Sequence, residues 1–290
     1  MSVLQNKIDF AVILTVKNAN PNGDPLNGNR PREDYDGYGE ISDVCIKRKI
    51  RNRLMDMGQP VFVQSDDRCV DGCKSLRERV ESCAELKGIK DREQYARIAC
   101  QQWADVRAFG QVFAFKPGKE KDSAAGVSVG VRGPVSVHPA FSVSPITVAD
   151  IQITKSVNSE PGKDADKKSS DTMGMKHRVP FGLYVFYGSI NCQLAEKTGF
   201  TEEDADNIHQ ALNTLFENDV SSARPDGSME IRRVYWWKHN CKSGQYSSAK
   251  VHRSLKIEPK DKEAIAHGIE DYAITLEELD GLCPEISDGL

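Results

Sequence analysis

Lys47, Arg48, Lys49, Arg51 and Arg53 place five cations within seven residues, on a predicted helix that carries no acid between Val44 and Met55. The 290-residue chain has a formal net charge of -4, so this cluster does not follow from overall composition. It predicts a local polyanion partner, nucleic acid first. Covalent chemistry finds less support. Acid-base catalysis needs grouped His, Lys or Tyr, and His138, His177, His209, His239, His252 and His267 are dispersed. GDPLNGNRPR is Gly/Asn-rich but lacks the G-x-x-x-x-G-K-S/T order that cradles a nucleotide phosphate. Cys69 and Cys73 can share a helix face, yet no second Cys/His pair follows at zinc spacing. No metal or cofactor is predicted.

The elements that must position the cations are legible from periodicity. On a helical wheel Ile46, Ile50, Leu54 and Met57 form one apolar stripe to pack on a sheet, with Ser42 as N-cap and Arg48 and Arg51 pointing outwards. Lys7 to Lys17 reads as a strand: Ile8, Phe10, Val12, Leu14 and Val16 share one face, and Ala11 and Ile13 make the other apolar too, which predicts a central strand covered on both sides. Residues 59–118 read as a mostly helical insertion. Strand signals return around Val127 to Val137 and from Ile146 to Ile153, then from Val179 to Leu194. The polar run from Lys155 to Arg178 has too few apolar residues to join a core and is expected to project. Thr201 and Asp204 read as a capping box for an amphipathic helix, followed by a strand through Ile231, Val234 and Trp236. Strand, helix, two strand groups, helix, strand is the order of a ferredoxin-like βαββαβ fold, in the α+β class.

From Arg224 to Lys256 eight Lys/Arg stand against two acids, with Tyr235, Trp236, Trp237 and Tyr246 interleaved, a composition found on single-strand-binding surfaces; Trp236 is expected in the core. From Glu258 to Leu290 ten acids stand against Lys260 and Lys262, which reads as a solvated acidic tail. No apolar run reaches bilayer-spanning length and the N-terminus lacks a secretory pattern, so a soluble cytoplasmic protein with reduced cysteines and no membrane partner is expected.

The string NANPNGDPLNGNRPREDYDGYGEISDVCIKRKIRNRL after an apolar first strand resembles the N-terminal signature of the CRISPR-associated backbone subunit of type I Cascade complexes, in the type I-C branch. GPVSVHPAFSVSPITVADIQITKS and MGMKHRVPFGLYVFYGSIN resemble the family's passages into and out of its thumb. The resemblance implies a modified RNA-recognition palm (1–58, 119–154 and 179–257), helical fingers (59–118), a projecting thumb (155–178) and an acidic C-terminal tail (258–290). It also implies a non-catalytic role. Copies of the subunit polymerise along CRISPR RNA, beside other Cascade subunits, and present guide bases to target DNA. By position, Asn18, Asn20, Asn22, Arg30, Arg32, Lys47, Arg48, Lys49 and Arg51 match the segment that grips guide phosphates. Lys155, Met173, Lys176, His177 and Arg178 match the thumb. The aromatic sheet motif of ordinary RNA-recognition domains is missing, so backbone contacts rather than base stacking are expected.

The resemblance also raises a rival. Related subunits of RNA-targeting complexes are metal-dependent ribonucleases that use an acid in the loop after the first strand, where this chain has Asp24, Asp34 and Asp36. Asp24 lies in NPNGDP, whose turn chemistry gives it a structural role of its own.

Overall fold

The structure, a computed structural model, describes residues 2–114, 128–154 and 173–289. Strand β1 (Ile8–Ala19) is buried along most of its length because both of its faces are apolar. The chain then folds through the short strands β2 (Gly23–Asp24) and β3 (Arg30–Pro31), which pair with each other, and β4 (Tyr38–Ile41). Helix α1 (Asp43–Asp56) starts where predicted, with the Ser42 hydroxyl accepting from the Cys45 amide at 3.3 Å.

Three helices follow: α2 (Leu76–Ser82), α3 (Arg92–Gln102) and α4 (Ala104–Phe109). A hairpin of β5 (Gly110–Phe113) and β6 (Val129–Arg132) closes this part. It has its own core, in which Phe62, Tyr95, Trp103 and Phe113 pack edge and tilted face with centroids 4.7–6.5 Å apart. Val129 belongs to that core, so β6 is part of the insertion and not a strand of the main sheet. Val127 lies outside the described residues.

Next come β7 (Val135–Val137), β8 (Ala140–Pro145), β9 (Ala149–Thr154) and the long β10 (Met173–Ile190), then α5 (Cys192–Thr198), α6 (Glu202–Asn213) and β11 (Met229–Lys238). β1 lies between β10 and β11, both antiparallel to it, with Val12 opposite Phe186 and Val234. Beyond β10 the sheet continues through β8 to β4. β11, the strand that follows α6, thus returns beside β1, whereas β8 is separated from β1 by β10. α1 and α6 cover one face: Ile46, Ile50 and Leu54 meet Phe10, Val12, Phe186, Ile208 and Leu212 in the larger core. The Thr201–Asp204 capping box starts α6 as predicted.

The second face is closed by the C-terminal part, contrary to the solvated tail expected for residues 258–290. Helix α7 (Ser248–Ser254) leads into a hairpin of β12 (Leu255–Pro259) and β13 (Tyr272–Leu276), and β14 (Glu285–Ser287) extends the sheet beyond β11. Val251, Leu255, Tyr272 and Leu282 pack on Ala11, Ile13, Leu183, Tyr235 and Trp237. The acids face solvent while a few widely spaced apolar residues do the packing, which is why composition alone pointed the wrong way. Tyr235 and Trp237 are likewise core residues, so the basic-aromatic stretch is not a stacking surface. No helix among the described residues is long and apolar enough to cross a membrane.

Candidate nucleic-acid interface

The loop after β1 is built by its asparagines. Asn18 and Asn29 take left-handed backbone conformations (φ 54° and 60°), which asparagine tolerates better than most residues. Asn20 is buried, and its side-chain amide donates to the Asn29 carbonyl at 2.6 Å. The Asn22 side-chain oxygen Oδ1 accepts from both the amide and the hydroxyl of Ser42 at 2.9 Å, tying the loop to the start of α1. Asn20 and Asn22 therefore brace the loop from within, whereas Asn18 is exposed.

α1 departs most from the sequence reading. Each of its cations has an internal partner. Lys47 pairs with Asp43 at 2.9 Å. Arg48 donates to the Val63 carbonyl at 2.8 Å. Lys49, 4% exposed, is bound to Asp219. Arg51 binds the buried Asp105 at 2.9 Å and lies over the Phe109 ring. Asp105 also accepts from the amides of Phe62 and Val63, so this pair clamps the insertion to α1. Arg53 reaches Glu217 and the Thr214 hydroxyl. Burial pushes the Lys49 ammonium down, opposed by the attraction of Asp219. Between Val44 and Met55 the helix has no acid: its own Asp43 serves Lys47, while Asp219, Asp105 and Glu217 from other elements serve Lys49, Arg51 and Arg53, and Arg48 and Arg51 turn inwards to the Val63 carbonyl and Asp105. Lys49 in particular is a structural cation.

The accessible cations lie elsewhere, where β3 meets the β9–β10 hairpin. Residues Met173–Arg178 of β10 pair with Ala149–Thr154 of β9, which sets His177 opposite Asp150 and Lys176 opposite Ile151. Arg30 Nη1 approaches both Asp150 oxygens at 2.5 Å, and His177 Nδ1 is 2.6 Å from Asp150 Oδ1. Together Arg30 and His177 hold the Asp150 carboxyl below the usual carboxylate range. Arg32 is 3.5 Å from Asp24. The Nε atoms of Arg32 and Arg178 are buried without a hydrogen-bond partner. No carboxylate among the described residues pairs with Lys176 or Arg178. Met173 and Met175 stand exposed at the hairpin's outer part. Arg30, Arg32, Lys176, His177 and Arg178 thus share one seam, while the α1 cations are taken up by Asp43, the Val63 carbonyl, Asp219, Asp105 and Glu217. Lys155 lies outside the described residues. Asp150, the carboxylate at the centre of the seam, went unnoticed in the sequence because it occupies an ordinary alternating position in ADIQIT.

The loop acids have turn duties. The Asp24 carboxylate accepts from the Leu26 amide at 3.1 Å, and that of Asp34 accepts from the amides of Asp36 and Tyr38 at 3.0 and 2.9 Å. Among the described residues no three His, Cys, Asp or Glu side chains are grouped to hold a metal ion.

The sequence model of a family described as CRISPR-associated protein Cas7 matches residues 6–277. The chain belongs to the Cas7 family. A CRISPR-associated protein Cas7 from Haloferax volcanii is 23% identical over 304 residues, covering 98% of this chain and 85% of the relative. Two solved chains, from a CRISPR RNA-guided surveillance complex and from one described as pre-nicking, are 18% and 15% identical. Each superposes with a TM-score of 0.46 over 80% of this chain, and over 68% and 78% of its own length. The Cas7 match spans the first strand, the insertion, the seam and the C-terminal hairpin alike.

Proposed function

We propose that this Cas7-family chain is a non-catalytic subunit that polymerises along CRISPR RNA, in a type I-C Cascade complex of the cytoplasm, and presents guide bases to target DNA. The family membership over residues 6–277 carries this reading. In it, the β1–α1–β8–β10–α6–β11 unit is a ferredoxin-like palm, residues 59–118 are the fingers and residues 155–178 the thumb. Further copies of the chain and other Cascade subunits are its protein partners.

The seam of Arg30, Arg32, Lys176, His177 and Arg178, with Asn18 at the loop's surface, is the proposed guide path; Met173 is placed to meet a displaced base. Lys47, Arg48 and Arg51 support that path at most indirectly, through the insertion and the turn that they anchor. Guide scaffolds must accept any spacer, so contacts belong on phosphate and sugar. Closure of the second sheet face by α7 and the β12–β13 hairpin supports this, because it covers the apolar face around Leu183, Tyr235 and Trp237 on which bases would otherwise stack.

The test is binding of RNAs of unrelated sequence at several salt concentrations. Arg30→Ala, Arg32→Ala and Lys176→Ala should each weaken all of them alike and lower the log-log salt slope by about 0.7 per lost phosphate contact. A loss confined to one sequence would contradict the reading. The ribonuclease alternative predicts periodic Mg²⁺-dependent cleavage of guide-complementary RNA that Asp24→Ala abolishes; the turn duty of Asp24 disfavours it.

A further inference from the structure

We propose that Asp150 is an internal stand-in for a guide phosphate: it occupies Arg30 and His177 until the RNA backbone displaces it. The inference rests on the guide-binding reading and assigns a residue that tunes it. The three side chains come from three strands, Arg30 from β3, Asp150 from β9 and His177 from β10. The contact therefore latches the hairpin to the loop. Arg30 meets both carboxylate oxygens through Nη1 alone, so its remaining N–H donors are left for a second oxyanion. Guanidinium groups take carboxylate and phosphate oxygens in the same way. The Asp150 side chain is 43% exposed and that of Arg30 29%, so a phosphate can reach the pair and solvent screens it. Arg32 repeats the arrangement more loosely with Asp24.

Two consequences follow. Exchange of carboxylate for phosphate frees the hairpin base from the loop at the moment the guide arrives. It also lowers the affinity of an isolated subunit for stray anions, because each phosphate must outcompete a tethered carboxylate.

The experiment measures anisotropy of a short fluorescein-labelled single-stranded RNA of mixed sequence, titrated with the full chain at several ionic strengths. Asp150→Asn should bind about two- to fivefold more tightly than the parent, the range set by an exposed ion pair. Its log-log salt slope should steepen by up to about 0.7, since Arg30 then meets a phosphate without leaving an unpaired carboxylate behind. In an Arg30→Gln background the same change should lose most of its effect. Glu93→Gln, which removes one exposed acid from α3, controls for net charge and should not reproduce the gain. Unchanged or weaker binding by Asp150→Asn, or an equal gain in the Arg30→Gln background, overturns the inference while leaving RNA binding intact. Absence of RNA binding by the parent chain overturns both.

Discussion

A cation's partner decides its role in this protein. Lys49 and Arg30 read alike in the sequence, yet one is enclosed with Asp219 and the other shares a solvent-accessible carboxylate. Removing Lys49 leaves Asp219 with Arg224, 3.1 Å away, as its remaining cation. Lys49→Ala should therefore destabilise the chain by about 3 kcal/mol, the lower end for a broken buried pair, as measured by urea unfolding. RNA affinity of the folded fraction should stay at the parent value. A variant as stable as the parent but deficient in RNA binding would return Lys49 to the guide path. The helical wheel could not supply this, because Lys49 and Asp219 are 170 residues apart in sequence and Arg51 and Asp105 are 54 apart.

Elements were legible wherever periodicity and capping agreed. β1 showed two apolar faces, α1 its stripe and Ser42 cap, and α6 its capping box, and all three formed as expected. The C-terminal hairpin was illegible for a physical reason. Each of its strands buries one face only, so Leu255 and Tyr272 are diluted among acids that point to solvent. Its importance follows from what it covers: Leu183, Tyr235 and Trp237 would otherwise be an exposed apolar sheet face. Tyr272 packs there and donates its hydroxyl to the Ser144 hydroxyl at 3.2 Å. Tyr272→Ala should destabilise the protein by about 3–5 kcal/mol, the range for truncating a buried aromatic, with a matching fall in urea midpoint. Less than about 1 kcal/mol would mean that the hairpin is not part of the cooperative core.

For the molecule as a whole, each sheet face carries a histidine withdrawn from solvent, His209 half-buried and His252 buried, and the two bear on its response to acid. On one face His209 stacks on Trp236 at 4.6 Å, with Glu285 and Asp206 as its charged neighbours. On the other His252 Nε2 donates to the Gly188 carbonyl oxygen at 3.1 Å and stacks on Tyr187, with Asp9, Lys7 and His138 around it. Burial lowers both histidines from their ordinary value of 6.5, against the pull of the nearby acids. Below that value the unfolded chain takes up protons that the folded chain refuses, so stability falls as pH drops from about 6.5 and levels off once the folded-state values are passed. Asp9 acts in a separate window. Burial alone would raise its carboxyl, but hydrogen bonds with His239, Ser248 and Lys7 outweigh it and hold the group low; its contribution is present above the ordinary carboxylate value and is lost only in stronger acid. Thermal melts should therefore show a lower Tm at pH 5.5 than at pH 7.5, and His252→Gln should shrink that difference by removing one of the two groups. A Tm that is flat across this interval, or a His252→Gln variant as acid-sensitive as the parent, would show that these histidines do not govern the response.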